Sequence, residues 1–358
     1  MSFFSPSVWK AGRPKAPRLP QCGRCGLYKT CYSPKMQPSG SVKRRILFVA
    51  EAPGQEEDRQ GTQLVGKPGV KLRKELKLLG LKLDDCVKTN AIICKPPEGK
   101  MNDTYIESCR PNLLKAIRKT KPNVIVLLGA SAIKALMPTE RDSGGGGATR
   151  WVGWKIPSQI HHAWICPTYH PSFLLRKEDP ALDLLFRQHL KAAIKLEGKK
   201  IPKSMSLPVL KEQIEIILSP NSAKKRLKDL SKQKGILAFD YETTGIKPDK
   251  PAHRIVSCSF CLDGEGTFAF MVTPELTKWI SKVLVSDQLQ KVASNIKFEE
   301  RWTFAKLGHR VANWYWDTMQ TAHILDNRRD ITSVKFQAFI HFGIPDYDQA
   351  VSDYFKSK

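Results

Sequence analysis

Ile46-Leu47-Phe48-Val49-Ala50 runs directly into Glu51-Ala52-Pro53-Gly54-Gln55-Glu56-Glu57-Asp58. An apolar, β-rich run that ends in a carboxylate-rich loop reads as a sheet strand delivering polar groups from its carboxyl end. Three more such runs follow, at Val87 to Ile93, Val124 to Leu128 and Trp164 to Thr168, and amphipathic stretches such as Val70 to Leu79 and Cys109 to Ile117 lie between them. Strand and helix in alternation predict an α/β fold of three αβα layers, with a central parallel sheet covered on both faces.

The chain has 358 residues, which exceeds the usual size of one domain, and its 41% hydrophobic content suits ordinary globular cores. The Lys-rich stretch Glu197 to Ser206, with Pro202 inside it, marks the expected boundary, giving domains over 1–200 and 201–358. Fifty-nine Lys and Arg against 34 Asp and Glu leave a net charge of +25. Such a balance favours a polyanion such as DNA as partner, although an anionic membrane surface would also attract it. No apolar run reaches the length of a membrane span, and the Pro-rich, basic stretch Met1 to Pro20 has no apolar signal core. The expectation is a soluble monomer in the cytoplasm of a bacterial or phage-infected cell.

Ligands of open α/β sheets bind outside the carboxyl ends of the strands. The four loops there carry Glu51 to Asp58, Thr89-Asn90, Gly129-Ala130 and Thr168-Tyr169-His170-Pro171-Ser172. An amide can read a nucleobase edge, a histidine can stabilise a developing anion, and carboxylates can orient water or balance a cationic sugar. These are the parts needed to break an N-glycosidic bond. By spacing alone, a solvated acidic loop, a turn asparagine and a packed histidine fit equally well.

Nine cysteines in a long chain without an export signal point to metal binding rather than disulfides. Cys22 and Cys25 form a Cys-x-x-Cys pair, and Cys94 and Cys109 supply two further thiols. Four thiolates suit zinc or an iron-sulfur cluster, and ligand count does not separate the two. Cys31, Cys86, Cys166, Cys258 and Cys261 read as core or surface thiols.

Taken together, the Glu51 to Asp58 loop, Gly61 to Gly69, Thr89-Asn90, the four cysteines and Thr168 to Arg176 resemble a family 4 uracil-DNA glycosylase over about half the chain. That resemblance implies a [4Fe-4S] cluster on Cys22, Cys25, Cys94 and Cys109 with a structural role. It implies a uracil pocket of Ala52, Leu64 and Asn90, with Asn90 reading the base edge. His170 would stabilise the departing uracil anion, and Glu51 with Glu57 would shape the water and sugar side. The base must be flipped out of the stack to enter.

Phe173 or Leu174 could then wedge into the gap left in the duplex, with Arg176 near phosphate; a helix start packed on the core is the alternative. Trp151 and Trp154, near the Gly-rich loop Ser143 to Gly147, are candidates for DNA contact or for packing. Two departures from the family pattern stand out. Ala50 replaces a glycine, and Leu64 replaces a phenylalanine whose stacking on the base is worth about 1–3 kcal/mol.

In the second half, Ile236 to Asp240, Ile255 to Cys261 and Thr267 to Val272 read as a β-meander, with helices near Glu299 to Leu307 and Thr318 to Leu325. Asp240 and Glu242 alternate on one strand, so both carboxylates face one side, and Glu299 adds a third acid at a helix start. Such a set can hold Mg²⁺ or Mn²⁺ for phosphodiester cleavage. Asp240-Tyr241-Glu242-Thr243-Thr244-Gly245 with Asn295-Ile296-Lys297-Phe298-Glu299 resembles the 3′-to-5′ exonuclease of family A DNA polymerases, a ribonuclease H-like domain. Glu299 replaces that family's usual aspartate. The late Tyr-x-x-x-Asp motif is missing, since Val351 follows Tyr347 and Lys358 follows Tyr354 at that spacing, and Asp317 reads as a helix start. The domain is therefore expected to be incomplete.

A glycosylase ahead of such a domain resembles the front end of phage-type DNA polymerases, which makes an attached or separate polymerase a partner. The leading expectation is hydrolysis of uracil from DNA. The rivals are a non-catalytic module that binds uracil or template DNA for a polymerase, and a proofreading-type nuclease with a scaffold glycosylase domain.

Overall fold

A computed structural model describes residues 22–97, 101–140, 147–203 and 212–345. The segment Met1 to Pro20, the Gly-rich loop apart from Gly147, and Tyr347 and Tyr354 lie outside the described residues. The chain forms two compact units, one of Met1–Ser204 with Ala338–Lys358 and one of Met205–Gln337. The expected division had put everything after residue 201 into the second unit. From Ala338 onward the chain instead joins the first, where Phe339 sits edge-on to the buried Trp151 at 6.0 Å.

The first unit holds a six-stranded sheet in the order β1-β3-β2-β4-β6-β5, with β1 Ser39–Gly40, β2 Ile46–Ala50, β3 Val87–Asn90, β4 Val124–Leu128, β5 Ile156–Ser158 and β6 Ala163–Thr168. The four inner strands are parallel and the two rims antiparallel. Every residue of β2 and β4 is buried, as expected of strands covered on both faces. Helices α1 Gln55–Gln60, α2 Lys67–Leu78, α3 Asp103–Thr120, α4 Ala130–Glu140, α5 Ala148–Trp151, α6 Pro171–Lys177 and α7 Pro180–Ile194 complete it. Leu72, Leu76, Leu174, Phe186 and Leu190 of α2, α6 and α7 pack with Ile46, Phe48, Val124 and Val126 on one face, while α3 and α4 lie against β2, β3 and β4.

Strand β3 ends at Asn90 rather than Ile93, and α3 begins six residues before Cys109. Asn102 starts that helix, its side chain accepting the Tyr105 backbone N–H at 3.2 Å.

The second unit holds another six-stranded sheet, in the order β12-β11-β8-β9-β10-β7. Its strands are β7 Glu215–Ile217, β8 Gly235–Thr243, β9 Ile255–Leu262, β10 Glu265–Met271, β11 Leu289–Ala293 and β12 Trp314–Asp317. The expected meander is β8-β9-β10, which is antiparallel, while β11 and β12 continue the sheet parallel to β8. Leu237, Phe239 and Tyr241 of β8 enter the core, while the alternate residues Ala238, Asp240 and Glu242 stay exposed. Helices α8 Pro220–Leu230, α9 Pro274–Leu284, α10 Ile296–Leu307 and α11 Thr318–Leu325 belong to this unit, and the division at Gln337 falls inside α12 Val334–Phe342. No described helix is long and apolar enough to cross a membrane.

Candidate active site

Strand register sets the first site. Ala50 pairs with Asn90, Val49 with Leu127, and Leu128 with Thr168, so Glu51, Asn90, Gly129 and His170 leave the sheet along one edge. Chain order reverses at β2, with β3 on one side and β4 on the other, which opens a crevice beside Glu51.

Gly129 holds the two acting side chains of this crevice together. Its φ of +86° belongs to the left-handed region, and a Cβ there would lie 2.7 Å from the His170 Cβ and 2.8 Å from Glu51 Oε1. Only a residue without a side chain lets the histidine and the carboxylate approach this closely. Glu51 Oε1 also lies 3.4 Å from both the backbone N and the hydroxyl of Ser131, in the first turn of α4, where the helix end favours negative charge.

His170 caps α6. Its Nδ1 accepts the Ser172 backbone N–H at 3.2 Å and lies 2.6 Å from the Ser172 hydroxyl. An acceptor role for Nδ1 places the ring proton on Nε2. Burial pushes the imidazole pKa down, Glu51 pulls it up, Arg176 lowers it and Glu57 raises it, and the net direction is downward. The ring is therefore neutral near pH 7, with an N–H available to donate. Behind it, Tyr169 stacks on Phe173 at 5.7 Å and on His189 at 5.9 Å, and His189 Nδ1 meets the Thr168 hydroxyl at 3.0 Å.

Asn90 is 1% exposed, and its amide nitrogen has no hydrogen-bond partner among the described residues. An orphaned buried donor costs about 1–3 kcal/mol unless a water or a ligand meets it. Ala52 is half-buried at the start of the acidic loop. Leu64 is buried in the core cluster with a φ of +58°, and α2 presses on its backbone, since a Cβ on Gly69 would lie 1.9 Å from the Leu64 carbonyl oxygen. A bulky residue in the left-handed region is strained, and that strain sits where the sequence places the base-covering side chain.

Glu57 takes a different part from the one the sequence suggested. Its Oε2 accepts the Gly54 N–H at 3.1 Å, and its Oε1 accepts those of Val65 and Gly66 at 3.0 and 2.8 Å. Both oxygens are committed to backbone, so Glu57 shapes the loop rather than water. The wedge expectation also changes. Leu174 is 2% exposed within the core and Phe173 packs beneath Tyr169, so neither is free to enter a duplex, whereas Leu175 and Arg176 are exposed. Trp151 is likewise fully buried and serves packing. Sequence reasoning passed over Ser131, Ser172 and Asp58, whose roles depend on neighbours distant in the chain or on local cap geometry.

The cysteines gather in one region. The Lys35 backbone N–H donates to Cys94 Sγ at 3.2 Å. Burial pushes the Cys94 thiol up to about 12, with Cys31 and Cys109 adding to the rise; burial raises Cys109 to about 11, with Cys25 and Cys22 adding. No three Cys, His, Asp or Glu side chains among the described residues converge tightly enough to hold a single metal ion. A backbone N–H donated to a buried sulfur, as Lys35 gives Cys94, is the kind of contact a thiolate-bound iron-sulfur cluster uses, and four cysteine thiols are the donor set it takes.

In the second unit, Asp240 lies on the open face of β8, where desolvation and then Glu242 raise its pKa to about 6. Glu299, 2% exposed in the first turn of α10, is pushed up to about 8 by burial, with Asp240 and Asp317 contributing, and its Oε2 has no partner. Asp317 is fully engaged, accepting the backbone N–H groups of Asn295, Ile296, Met319 and Gln320 at 2.9–3.1 Å. It is a helix cap, as its place before Thr318 suggested.

A model of the uracil DNA glycosylase superfamily matches residues 37–195. A type-4 uracil-DNA glycosylase of Thermotoga maritima is 31% identical over 188 residues, 51% of this chain and 93% of that protein. Its counterpart from Pyrobaculum aerophilum is 34% identical over 178 residues, covering 48% and 87%. A DNA polymerase of Bacillus phage SP01 is 25% identical over 352 residues, 89% of this chain but 37% of the polymerase.

Proposed function

The chain belongs to the uracil-DNA glycosylase superfamily of N-glycosyl hydrolases, and from that premise we propose that its first unit hydrolyses the bond between uracil and deoxyribose in DNA. The observation that carries this reading is the pairing of an orphaned buried amide, Asn90, with a neutral, Nε2-protonated His170 at one strand edge.

A flipped uracil presents its polar edge to the Asn90 amide, which gains the partner it lacks. As the N1–C1′ bond breaks, its electron pair moves onto the base. The His170 N–H donates to the carbonyl oxygen that gathers the charge, and a neutral imidazole does so without giving up its proton. The Glu51 carboxylate, held beside His170 by Gly129, faces the sugar side, where it balances the cationic sugar and orients the water that adds to C1′. Free uracil and an abasic site result. Leu175 and Arg176, exposed on α6, are the groups this reading assigns to duplex and phosphate.

Cys22, Cys25, Cys94 and Cys109 would hold a [4Fe-4S] cluster, which when bound ties the 22–36 segment to the end of β3 and to α3 as a structural cross-link. In the second unit, Asp240, Glu242 and Glu299 would take Mg²⁺ or Mn²⁺ in an exonuclease-like site. The phage polymerase likeness over most of the chain favours work beside a polymerase.

The test is a labelled uracil-containing oligonucleotide, incubated with anaerobically purified protein and then treated with alkali. Strand breaks at uracil are expected; intact strands from protein whose cluster absorption is present would remove the proposal in favour of a binding module.

A further inference from the structure

Helices α8 and α9 pack against each other on the second unit's core. Ala223, Leu227 and Leu230 of α8, with Leu276, Ile280 and Val283 of α9, join Leu237 and Phe239 of β8 in that core. Asp240 and Glu242 alternate with those β8 residues and leave the strand on its other side. The outer face of the two helices is therefore separate from the acidic site.

That outer face is basic. Lys224 and Lys228 stand one turn apart on α8, Lys278 and Lys282 one turn apart on α9, and all are exposed. The described ion pair of these helices joins Arg226 to Glu215 at 3.5 Å, and no described carboxylate pairs with the four lysines, although Asp229 and Glu275 lie on the same helices. Between the two rows sits the half-buried Trp279, with Lys282 Nζ 4.5 Å and Lys224 Nζ 5.9 Å from its ring. One indole thus gathers an ammonium group from each helix and holds the two rows as a single surface.

Like charges one turn apart repel, and an anionic occupant turns that repulsion into attraction. A helix face that enters a membrane surface carries exposed apolar side chains beside its lysines. Neither α8 nor α9 exposes a large apolar side chain, because the apolar stripe of each is spent on the core. A single strand is gripped by open aromatic faces on which its bases stack, and the Trp279 ring is half-buried with ammonium groups beside it. The occupant that fits is the phosphate backbone of a duplex, which asks only for positive charge at the right places.

We propose that the α8–α9 face binds the backbone of duplex DNA without regard to sequence, through Lys224, Lys228, Lys278 and Lys282 gathered over Trp279. Such a grip keeps the chain on DNA between encounters with a target base, and it is distinct from both the crevice of the first unit and the acidic site of the second.

The experiment titrates the full chain with a labelled, uracil-free duplex by fluorescence anisotropy between about 50 and about 200 mM salt. Wild type is compared with Lys224→Gln/Lys228→Gln, with Lys278→Gln/Lys282→Gln, with the four changes combined, and with a control that makes the same change at Lys74, Lys77, Lys115 and Lys119, exposed lysines of α2 and α3. The slope of log K against log salt should flatten by about 0.9 for each contacting lysine lost, hence by about two in each pair and by three or more in the combination. Affinity at the lower salt should fall by about tenfold or more in the combination, while the control stays near wild type. A combined variant that keeps the wild-type slope, or that loses no more than the control, overturns the inference. So does a loss larger for a single strand than for the duplex, or a loss seen only with vesicles of phosphatidylserine and phosphatidylcholine. Should the combination fold poorly, the two pairs decide by the same slopes. Uracil-free DNA keeps this outcome separate from excision, since a chain that cuts uracil-containing DNA can still fail here.

Discussion

The crevice of the first unit and the acidic face of the second handle buried polarity in opposite ways. In the crevice, Glu57 is saturated by backbone N–H groups, His170 is neutral, and Asn90 is an uncharged amide left without a partner. An orphaned amide costs far less than an unpaired buried ion, so a site built from neutral groups stands ready before its ligand arrives. On the acidic face, burial pushes Asp240 up to about 6 and Glu299 up to about 8, with Glu242 adding to the first and Asp240 and Asp317 to the second, and nothing cationic among the described pairings offsets them. One site is built of neutral or backbone-saturated groups. The other keeps carboxyls whose ionisation burial opposes.

The sharpest break of this contrast is His170→Ala. Loss of a preorganised donor to a developing oxyanion should lower kcat by about 10²–10³-fold, with a stability loss of about 0.5–2 kcal/mol from the missing helix cap; an intact kcat would take the crevice out of the chemistry. Because the histidine pKa is depressed, the acid limb of the wild-type rate profile should fall below the ordinary value of about 6.5. A limb above that value would mean that a charged imidazole acts instead.

Gly129→Ala should follow in size. The added methyl meets His170 and Glu51 in a left-handed backbone, for a loss of about 1–3 kcal/mol of stability and at least tenfold in kcat. Glu57→Ala tests the scaffold assignment. It strands three backbone N–H groups and should lower stability by about 1–3 kcal/mol, with kcat falling less than in His170→Ala.

The smallest effect concerns the second unit. Glu299 has a folded pKa raised above its unfolded one, so its contribution to stability is fully present below the ordinary glutamate value of about 4.3 and is lost as pH rises through about 8. Without divalent metal, wild type should therefore melt lower at pH 9 than at pH 6, and Glu299→Gln should flatten that slope. Added Mg²⁺ or Mn²⁺ should restore wild type and leave Glu299→Gln unmoved. Equal responses of the two proteins would remove Glu299 from the proposed metal site.

Much of this was legible in the residues. The strands at Ile46–Ala50 and Val124–Leu128 stand where their apolar runs placed them, because a strand buried on both faces leaves no polar residue to blur its ends. The helix at Lys67–Leu78 and the β8-β9-β10 meander were visible for a similar reason, through periodicity. Short rim strands such as Ser39–Gly40 and Ile156–Ser158 were not, since two or three residues carry no period. The partners of Glu57, and the choice between wedge and packed helix start for Leu174, were not legible because a side chain's partners, unlike its identity, are not written in its neighbours along the chain.

By itself, then, the sequence determined the two α/β sheets, the strand ends from which Glu51, Asn90 and His170 depart, and the thiols available. Each follows from local pattern, which acts over a few residues. Tertiary structure alone decided that Gly129 joins Glu51 to His170, that Ser172 puts the imidazole proton on Nε2, and that Asp58 accepts the Tyr32 and Ser33 backbone N–H groups. Those outcomes depend on distances and hydrogen bonds that exist only once the chain has folded, and burial then sets which groups stay neutral.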